Sequence, residues 1–421
     1  MSVHLDELLS SKKVLLLQGP MGDYFNQLAQ WLEQHQIETF KVNFNGGDWW
    51  FHHQCQNAYN FRGRVGDFNL WLQDFINAHQ IDALLCFGDC RKYHRIAREV
   101  SLKLGIGFFA CEEGYIRPNY ITFEQDGVNF FSNFKQYLAA QAETGEARPA
   151  VHYDVVHNSY RKMLCCAFVY YLMWILASWY FPHYKHHRGM RPDQELYYWL
   201  ISGYRRLKNY FLEPRRFQGF LQQHAKQYFV FALQVHNDFQ IRVHSDLKKM
   251  ESYIEKVIRS FSDYADAEHH LVLKHHPMDR GYRNYAVLIQ RCAAQYGISG
   301  RVHYFCDIHL PTLLKNSRGM VTINSTTGIQ ALYHEIPVKV LGRALYDLPR
   351  LTCQHALDQF WMQPTAVDAG YFHFFRYSLI EYSQLNGAYY GLSPWMQRYD
   401  RQVIMSQKPC FLNNINNKSA S

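Results

Sequence analysis

Over its first 125 residues the chain alternates short, unbroken apolar runs with stretches of helical periodicity. Val14–Leu17 is a compact apolar run stopped by Gln18-Gly19-Pro20, and Asp23–His35 follows with Phe25, Leu28, Ala29 and Leu32 on one helical face. Glu38–Phe44 predicts a second strand, Trp71–Asn77 a helix, Ala83–Phe87 a third strand stopped by Gly88-Asp89, Tyr93–Leu104 a helix and Gly107–Cys111 a fourth strand. Strands alternating with helices of this length imply a parallel sheet covered on both faces.

That rhythm defines residues 1–130 and stops at residues 131–225, which are rich in aromatic and basic side chains. It returns in residues 226–350, with strands at Tyr228–Leu233, His270–Lys274, Val302–Phe305, Gly319–Ile323 and Val338–Leu341. Helices are expected between them at Ser245–Ser262, Tyr282–Tyr296 and Thr327–His334. Residues 351–421 read as helical and aromatic, ending in a polar tail from Asn413 that is expected to fray. The expected fold is therefore α/β: two Rossmann-like domains facing each other across a cleft, with an aromatic helical insertion between them. Ligands in such sheets bind beyond the carboxyl ends of the strands, so the strand-to-helix junctions are where chemistry is to be sought.

Composition narrows the classes. With 48% apolar and 19% charged residues, the chain can fill cores over most of its 421 residues. The net charge of +8 fits anionic partners, but without long Lys/Arg runs or a basic stripe it does not fit a nucleic-acid binder. The 10 cysteines are scattered with no zinc-type CxxC pairs, which reads as reduced, buried thiols. The N-terminus carries acidic residues before its apolar run and has neither a basic leader nor a small-residue cleavage site, so a cytoplasmic location is expected.

Met163–Phe181 is a run of 19 residues without a charge, flanked by Arg161 and Lys162 before it and Lys185 and Arg188 after it. A membrane span there would put the two α/β halves on opposite sides of a bilayer and abolish their common cleft. The remaining readings are a helix buried within the protein or one lying at the membrane surface, where Trp174, Trp179 and several tyrosines beside cationic flanks belong.

Six junctions offer chemistry. Gln18-Gly19-Pro20-Met21-Gly22 is either an ordinary turn or a loop whose glycines let backbone approach a ligand. Asn45-Gly46-Gly47-Asp48 is either a plain turn or a wall of an acceptor pocket, with Trp49 and Trp50 supplying apolar surface. Glu112 and Glu113 close the fourth strand, where a carboxylate can act as general base or nucleophile; alternation along an extended chain lets only one face a cleft. Gln234 to Asp238 brings polar groups to the first strand end of the second block. Lys274, His275, His276 and Pro277 end the next strand, with a histidine able to donate to a phosphate. Ser325, Thr326 and Thr327 open a helix, either as simple caps or as a phosphate cradle of hydroxyls and free N–H groups. The histidine-proline and Ser-Thr-Thr-Gly junctions lie about 50 residues apart in one α/β block. That arrangement suits the phosphate of a nucleotide sugar in a two-domain (GT-B-like) glycosyltransferase. No pattern demands a metal: the histidines at 269, 270, 275 and 276 lack carboxylate or thiol partners at zinc spacing, and no DxD motif is evident.

At these residues the chain resembles the bacterial capsule polysaccharide β-Kdo transferases of the KpsS/LipB type. The matching stretches are VLLLQGPMGDYF, KVNFNGGDWW, EEGYIRPNYITFE, QVHNDFQIRVHS, KHHPMDRGYRNY and TINSTTGIQALYHEIPVKVLGRALYDLPRLT, which together reach from the first strand to about residue 352. The most specific is KVNFNGGDWW. The resemblance implies transfer of β-Kdo from CMP-Kdo to a lyso-phosphatidylglycerol anchor, regarded as retaining. It also implies that partner enzymes then extend a short Kdo linker to which the capsule glycan is attached, with other capsule assembly and export proteins as partners. It implies Glu113 as the catalytic carboxylate, where related enzymes carry Asp in a Glu-Asp-Gly motif, with Glu112 as the alternative. It implies His276 and Pro277 at the CMP phosphate, Ser325, Thr326 and Thr327 at the phosphate-binding turn, and Gln330 where many such enzymes have a ribose-binding Glu. Arg117, Lys274 and Arg343 are candidates for the Kdo carboxylate or the lipid phosphate, and Gly19, Gly22, Asn45, Asp48 and Asp238 complete the acceptor or Kdo side.

The expected setting is the cytoplasmic face of the inner membrane, with Met163–Phe181 as the docking segment and no cofactor beyond the donor substrate. Two other readings compete: a non-catalytic capsule export or lipid-modification component that kept the fold, and a transferase using another nucleotide sugar.

Overall fold

The structure, a computed structural model, describes residues 2–53, 55–141, 153–186, 189–236, 247 and 249–407. The first unit runs α1 (Val3–Leu9), β1 (Lys13–Leu16), α2 (Tyr24–Gln34), β2 (Glu38–Asn43), α3 (Gly46–His52), β3 (Ala58–Asn60), α4 (Phe68–His79), β4 (Ala83–Phe87), α5 (Lys92–Leu104), β5 (Gly107–Glu113) and β6 (Tyr120–Gln125). Three helices follow: α6 (Phe134–Ala140), α7 (Tyr160–Leu176) and α8 (Pro192–His224). The second unit runs β7 (Tyr228–Ala232), α9 (Met250–Tyr264), β8 (His270–Lys274), α10 (Ala286–Gln295), β9 (Val302–Phe305), α11 (Leu310–Lys315), β10 (Gly319–Thr322), α12 (Thr327–Tyr333) and β11 (Val338–Val340). The chain closes with α13 (Leu357–Phe360), α14 (Ala369–Ser383), β12 (Gln384–Asn386) and α15 (Pro394–Gln407).

The two sheets share one topology. The first is ordered β12-β6-β5-β4-β1-β2-β3, the second β11-β10-β7-β8-β9. Counting each unit's parallel strands from its own first strand, both read 3-2-1-4-5, the Rossmann arrangement. The second sheet is parallel throughout. The first adds β6 antiparallel to β5 and β12 antiparallel to β6. The strands are apolar on both faces because a separate core lies on each side. Leu15, Leu84 and Ala110 face one core of the first sheet, and Val14, Leu85 and Cys111 face the other. In the second sheet Val230 and Val272 face one core and Phe231 and Leu273 the other.

The C-terminal segment is not only helical. After α14, whose Phe375 and Leu379 sit in a second-unit core, β12 pairs Gln384 with Thr122 at the edge of the first sheet. Trp395 of α15 then packs edge-on against Trp31 of α2, with ring centroids 4.9 Å apart. The stretch Asn45-Gly46-Gly47-Asp48, weighed as a turn, is the start of α3, with the Asn45 side chain capping the Asp48 N–H at 3.0 Å. Among the described residues no helix is long and apolar enough to cross a membrane. α7 occupies much of the apolar run, with Tyr170 and Trp174 buried and Phe168 and Leu172 exposed.

Candidate functional site

A cavity of about 660 Å³ lies where the β5–β6 connection of the first unit meets the strand ends of the second. From the first unit come Tyr115, Arg117 and Tyr120; from the second come Lys274, His276 and Pro277 after β8 and Thr326, Thr327 and Gln330 at the start of α12. The cavity thus gathers eight residues singled out in the sequence: Arg117, Lys274, His275, His276, Pro277, Thr326, Thr327 and Gln330.

His276 has a defined hydrogen-bonding state. Its Nδ1 accepts from the Met278 N–H at 3.2 Å and so carries no proton. Burial, with the neighbouring Lys274 charge second, lowers its pKa to about 4. A neutral ring with an accepting Nδ1 holds its proton on Nε2, a donor suited to a phosphate oxygen. The Lys274 ammonium is buried and donates to the carbonyls of His275 and Cys306 at 3.0 and 2.5 Å. Burial lowers its pKa, opposed by Cys306 and Asp307. Behind these residues, His236 is bonded through its N–H and Nδ1 to the buried Asp279 carboxylate, at 3.2 and 2.5 Å.

At the topological switch point of the second sheet, where β7 and β10 diverge, Gln234 and Asn324 exchange two hydrogen bonds of 2.9 and 3.1 Å. Beside them the Ser325 Oγ accepts from both the N–H and the hydroxyl of Thr327, at 3.3 and 3.0 Å. The first sheet repeats the device. Gln18 follows β1, and its Oε1 accepts from Arg91 at 2.8 Å. Its Nε2 donates to the Asp48 carboxylate at 2.9 Å and to the hydroxyls of Tyr170 and Tyr184 at 2.9 and 3.1 Å.

Other expected residues lie elsewhere. Glu112 and Glu113 do not line the cavity; they are the last residues of β5, paired with Thr122 and Ile121 of β6. The alternation of β5 sends them to opposite faces. Glu112 Oε2 lies on the Gly88 and Arg91 side, and Glu113 on the Tyr390 side. Burial, then the Asp89 charge, raises the Glu112 pKa to about 7 against the opposing pull of Arg91. Asn45 and Asp48 are buried and engaged by α7: Asn45 Nδ2 donates to the Tyr170 oxygen at 2.6 Å, and the Tyr170 hydroxyl donates to Asp48 at 3.2 Å. Gly19 gives room to the Phe25 ring, which a Cβ would approach to 2.8 Å, and Gly22 holds a φ of +133°. Arg343 lines a smaller cavity of about 270 Å³ with Lys135, which meets the larger one at Thr326. Asp238 lies outside the described residues. Among the described residues, no group of three or more His, Cys, Asp or Glu could hold a metal ion.

Sequence reasoning missed Arg376, which reaches the main cavity from α14 together with Phe372. No local motif marks it, because α14 follows the last strand of the second sheet by nearly thirty residues.

Residues 82–390 match the family described as capsule polysaccharide biosynthesis protein. The capsule polysaccharide export protein KpsS of Escherichia coli is 41% identical over 388 residues, covering 92% of this chain and 99% of that protein. The capsule polysaccharide modification protein LipB of Neisseria meningitidis serogroup B is 39% identical over 396 residues, covering 92% of this chain and 94% of that one. Among solved structures, the β-Kdo 2,7 transferase KpsC of Thermosulfurimonas dismutans aligns over 87% of this chain and 99% of its own, at 13% identity and a TM-score of 0.37.

Proposed function

The chain belongs to the capsule polysaccharide biosynthesis family, and from that premise we propose that it transfers β-Kdo from CMP-Kdo to a lyso-phosphatidylglycerol acceptor, starting the Kdo linker of a capsule glycolipid. The observation that carries this reading is the convergence of Arg117, Lys274, His276 and Arg376 on one cavity between the two units. The donor brings a phosphate and a sugar carboxylate, and the acceptor a phosphate. A site with three cations and a neutral histidine donor has the polarity for them.

In this reading His276 donates from Nε2 to the CMP phosphate, and Thr326 and Thr327 offer hydroxyls beside it. Gln330 is assigned to the ribose, and Arg117 and Arg376 to the carboxylate of Kdo or the lipid phosphate. Glu113 is assigned the catalytic carboxylate by its place in the motif, and Glu112 is the alternative by its environment. Its pKa of about 7 is matched to proton transfer near neutrality. The transfer proposed uses no metal, retains configuration, and takes place at the cytoplasmic face of the inner membrane, among other capsule assembly and export proteins.

Incubation of the purified protein with CMP-Kdo and a fluorescent lyso-phosphatidylglycerol, followed by mass spectrometry, tests the reading. The expected product is one Kdo heavier than the acceptor, is lost in Glu113→Gln and is strongly reduced in His276→Ala. CMP-Kdo binding without any product would instead favour a capsule component that keeps the fold without turnover. The position of Glu112 and Glu113 outside the cavity lining is the observation on that side. A product with a UDP-sugar or CMP-sialic acid in place of CMP-Kdo would reassign the donor.

A further inference from the structure

The 33-residue helix α8 is amphipathic in the reverse of the usual sense. From Arg205 to Glu213 its inward face is polar, before Phe217 and Phe220 enter a second-unit core. Arg205 Nη1 donates to the carbonyls of Arg280 and Arg283 at 2.6 and 2.9 Å, and Asn209 donates to Asp307 at 2.7 Å. The Glu213 carboxylate accepts from the N–H groups of Cys306 and Asp307 at 2.8 and 2.5 Å. The opposite face is apolar: Leu196, Leu200, Tyr204, Leu207 and Phe211 follow one another at helical spacing, all exposed, Tyr204 at 69% and Phe211 at 67%.

This stripe is continuous with a second one. α7 lies alongside, with Tyr171 edge-on to Trp199 at 5.6 Å and the Arg206 guanidinium over the Tyr160 ring at 4.6 Å. The outer face of α7 exposes Phe168, Leu172 and Leu176, and Trp179 just beyond it is 77% exposed. A contiguous exposed apolar surface of this kind marks an interaction site.

Charge identifies the partner. Between Leu196 and Phe220 the cations not turned inward are Arg206, Lys208 and Arg215, and the one carboxylate, Glu213, is buried and already bonded to backbone N–H groups. Pairing this face with a second copy of itself would set cations against cations. Exposed aromatic and aliphatic side chains edged by cations, with no free carboxylate among them, match an anionic lipid surface. We infer that the outer faces of α8 and α7 together form the surface on which the protein lies on an anionic bilayer. The inference rests on the membrane-peripheral placement proposed above and not on the identity of the donor.

The test is co-sedimentation of the full-length protein with vesicles of phosphatidylcholine alone or with added phosphatidylglycerol. Two variants are compared: Leu200→Glu/Leu207→Glu/Phe211→Glu and Lys208→Glu/Arg215→Glu. All five side chains are exposed, so both variants are expected to unfold at the wild-type temperature. Binding is expected only with phosphatidylglycerol present, and is expected to fall at least tenfold in each variant. Vesicle binding is read without turnover, so failure of the transfer reading leaves this result interpretable. Wild-type binding that both variants retain would overturn this surface and leave the membrane placement standing. Failure of the wild type to bind any vesicle would overturn both. A wild-type dimer that the apolar variant turns into monomers, with vesicle binding retained, would assign the face to a second copy and overturn the inference.

Discussion

The carbonyl oxygen of Met173 rests against the α-carbon of Gly46, so that a methyl group added there would collide with it and lie 2.6 Å from the Cβ of Ala177. Gly47 stands in the same relation to Tyr170, whose ring Cδ2 lies 2.5 Å from the place of a Cβ. The two glycines bring α7 onto the start of α3, and Tyr170 reaches past them to Asn45, Gln18 and Asp48. The obstacle at Gly46 is backbone, which cannot swing aside. Gly46→Ala is therefore expected to cost about 1–3 kcal/mol by overpacking, although Gly→Ala inside a helix ordinarily gains roughly 0.5–1 kcal/mol. Denaturant unfolding checks this; an unchanged midpoint would mean that α7 can shift away.

The same contact shows where sequence reading stops. Two adjacent glycines after a strand suggest a turn, since glycine is a poor helix former; the structure places them in a helix because another helix must come within backbone distance. Most parallel strands were legible because both their faces are apolar, as in Ala83–Phe87 and His270–Lys274, whereas the three-residue β3, parallel to β2, was not expected. β12 was not, because Gln-Leu-Asn carries no strand signal and pairs with β6 more than 250 residues away. The outward stripe of α8 escaped because periodicity reveals an apolar face without saying which way it points, and here Arg205, Asn209 and Glu213 turn inward. In the cavity, the histidine-proline and Ser-Thr-Thr-Gly junctions were found from strand ends, whereas Arg376 belongs to a distant helix.

Glu124 of β6 is fully buried, and burial raises its pKa to about 8. The folded chain thus holds a proton that the unfolded chain releases near pH 4.3. Stability from this group is complete below that value and is lost as pH rises toward 8. Glu124→Gln keeps the shape and cannot ionise. It is expected to match the wild type near pH 4.5 and to exceed it by roughly 1–3 kcal/mol at pH 8. Thermal unfolding at the two pH values checks this, and an advantage that does not grow with pH would sink the argument.

Three histidines cluster at the opposite end of the second sheet from the cavity. The His224 and His270 rings lie 3.8 Å apart, and His270 Nδ1 shares a 3.0 Å hydrogen bond with His303 Nε2. Burial first, then the mutual repulsion of the ring charges, lowers the pKa of His270 and His303 to about 4. The unfolded histidines take up protons near pH 6.5, so the stability these rings contribute is present above that value and is lost as pH falls from there toward 4. Unfolding midpoints are expected to drop between pH 7 and pH 5, and to drop less in His270→Gln/His303→Gln. Equal slopes in the two proteins would place the acid sensitivity elsewhere.

Arg376 and Arg117 reach the same cavity from different parts of the chain, Arg376 from α14 and Arg117 from the β5–β6 connection. Arg376 lies 6.0 Å from the centre of the Tyr333 ring, and Arg117 Nε donates to the Gly114 carbonyl at 3.2 Å. Each keeps further donors for a ligand, since a guanidinium has five N–H groups. Loss of a charge-assisted contact to a carboxylate or phosphate costs about 1.5–3 kcal/mol, so Arg376→Ala is expected to lower kcat/KM roughly 10- to 100-fold. Its fold should survive, because the side chain is only half-buried. Arg376→Lys keeps the charge but not the two-pronged geometry and is expected to recover part of the loss. If both arginines grip the same anionic group, Arg117→Ala/Arg376→Ala falls short of the product of the single effects. Fully multiplicative effects would assign them to different groups, one to the sugar carboxylate and one to the lipid phosphate. An Arg376→Ala protein with wild-type kcat/KM would remove the residue from the site altogether.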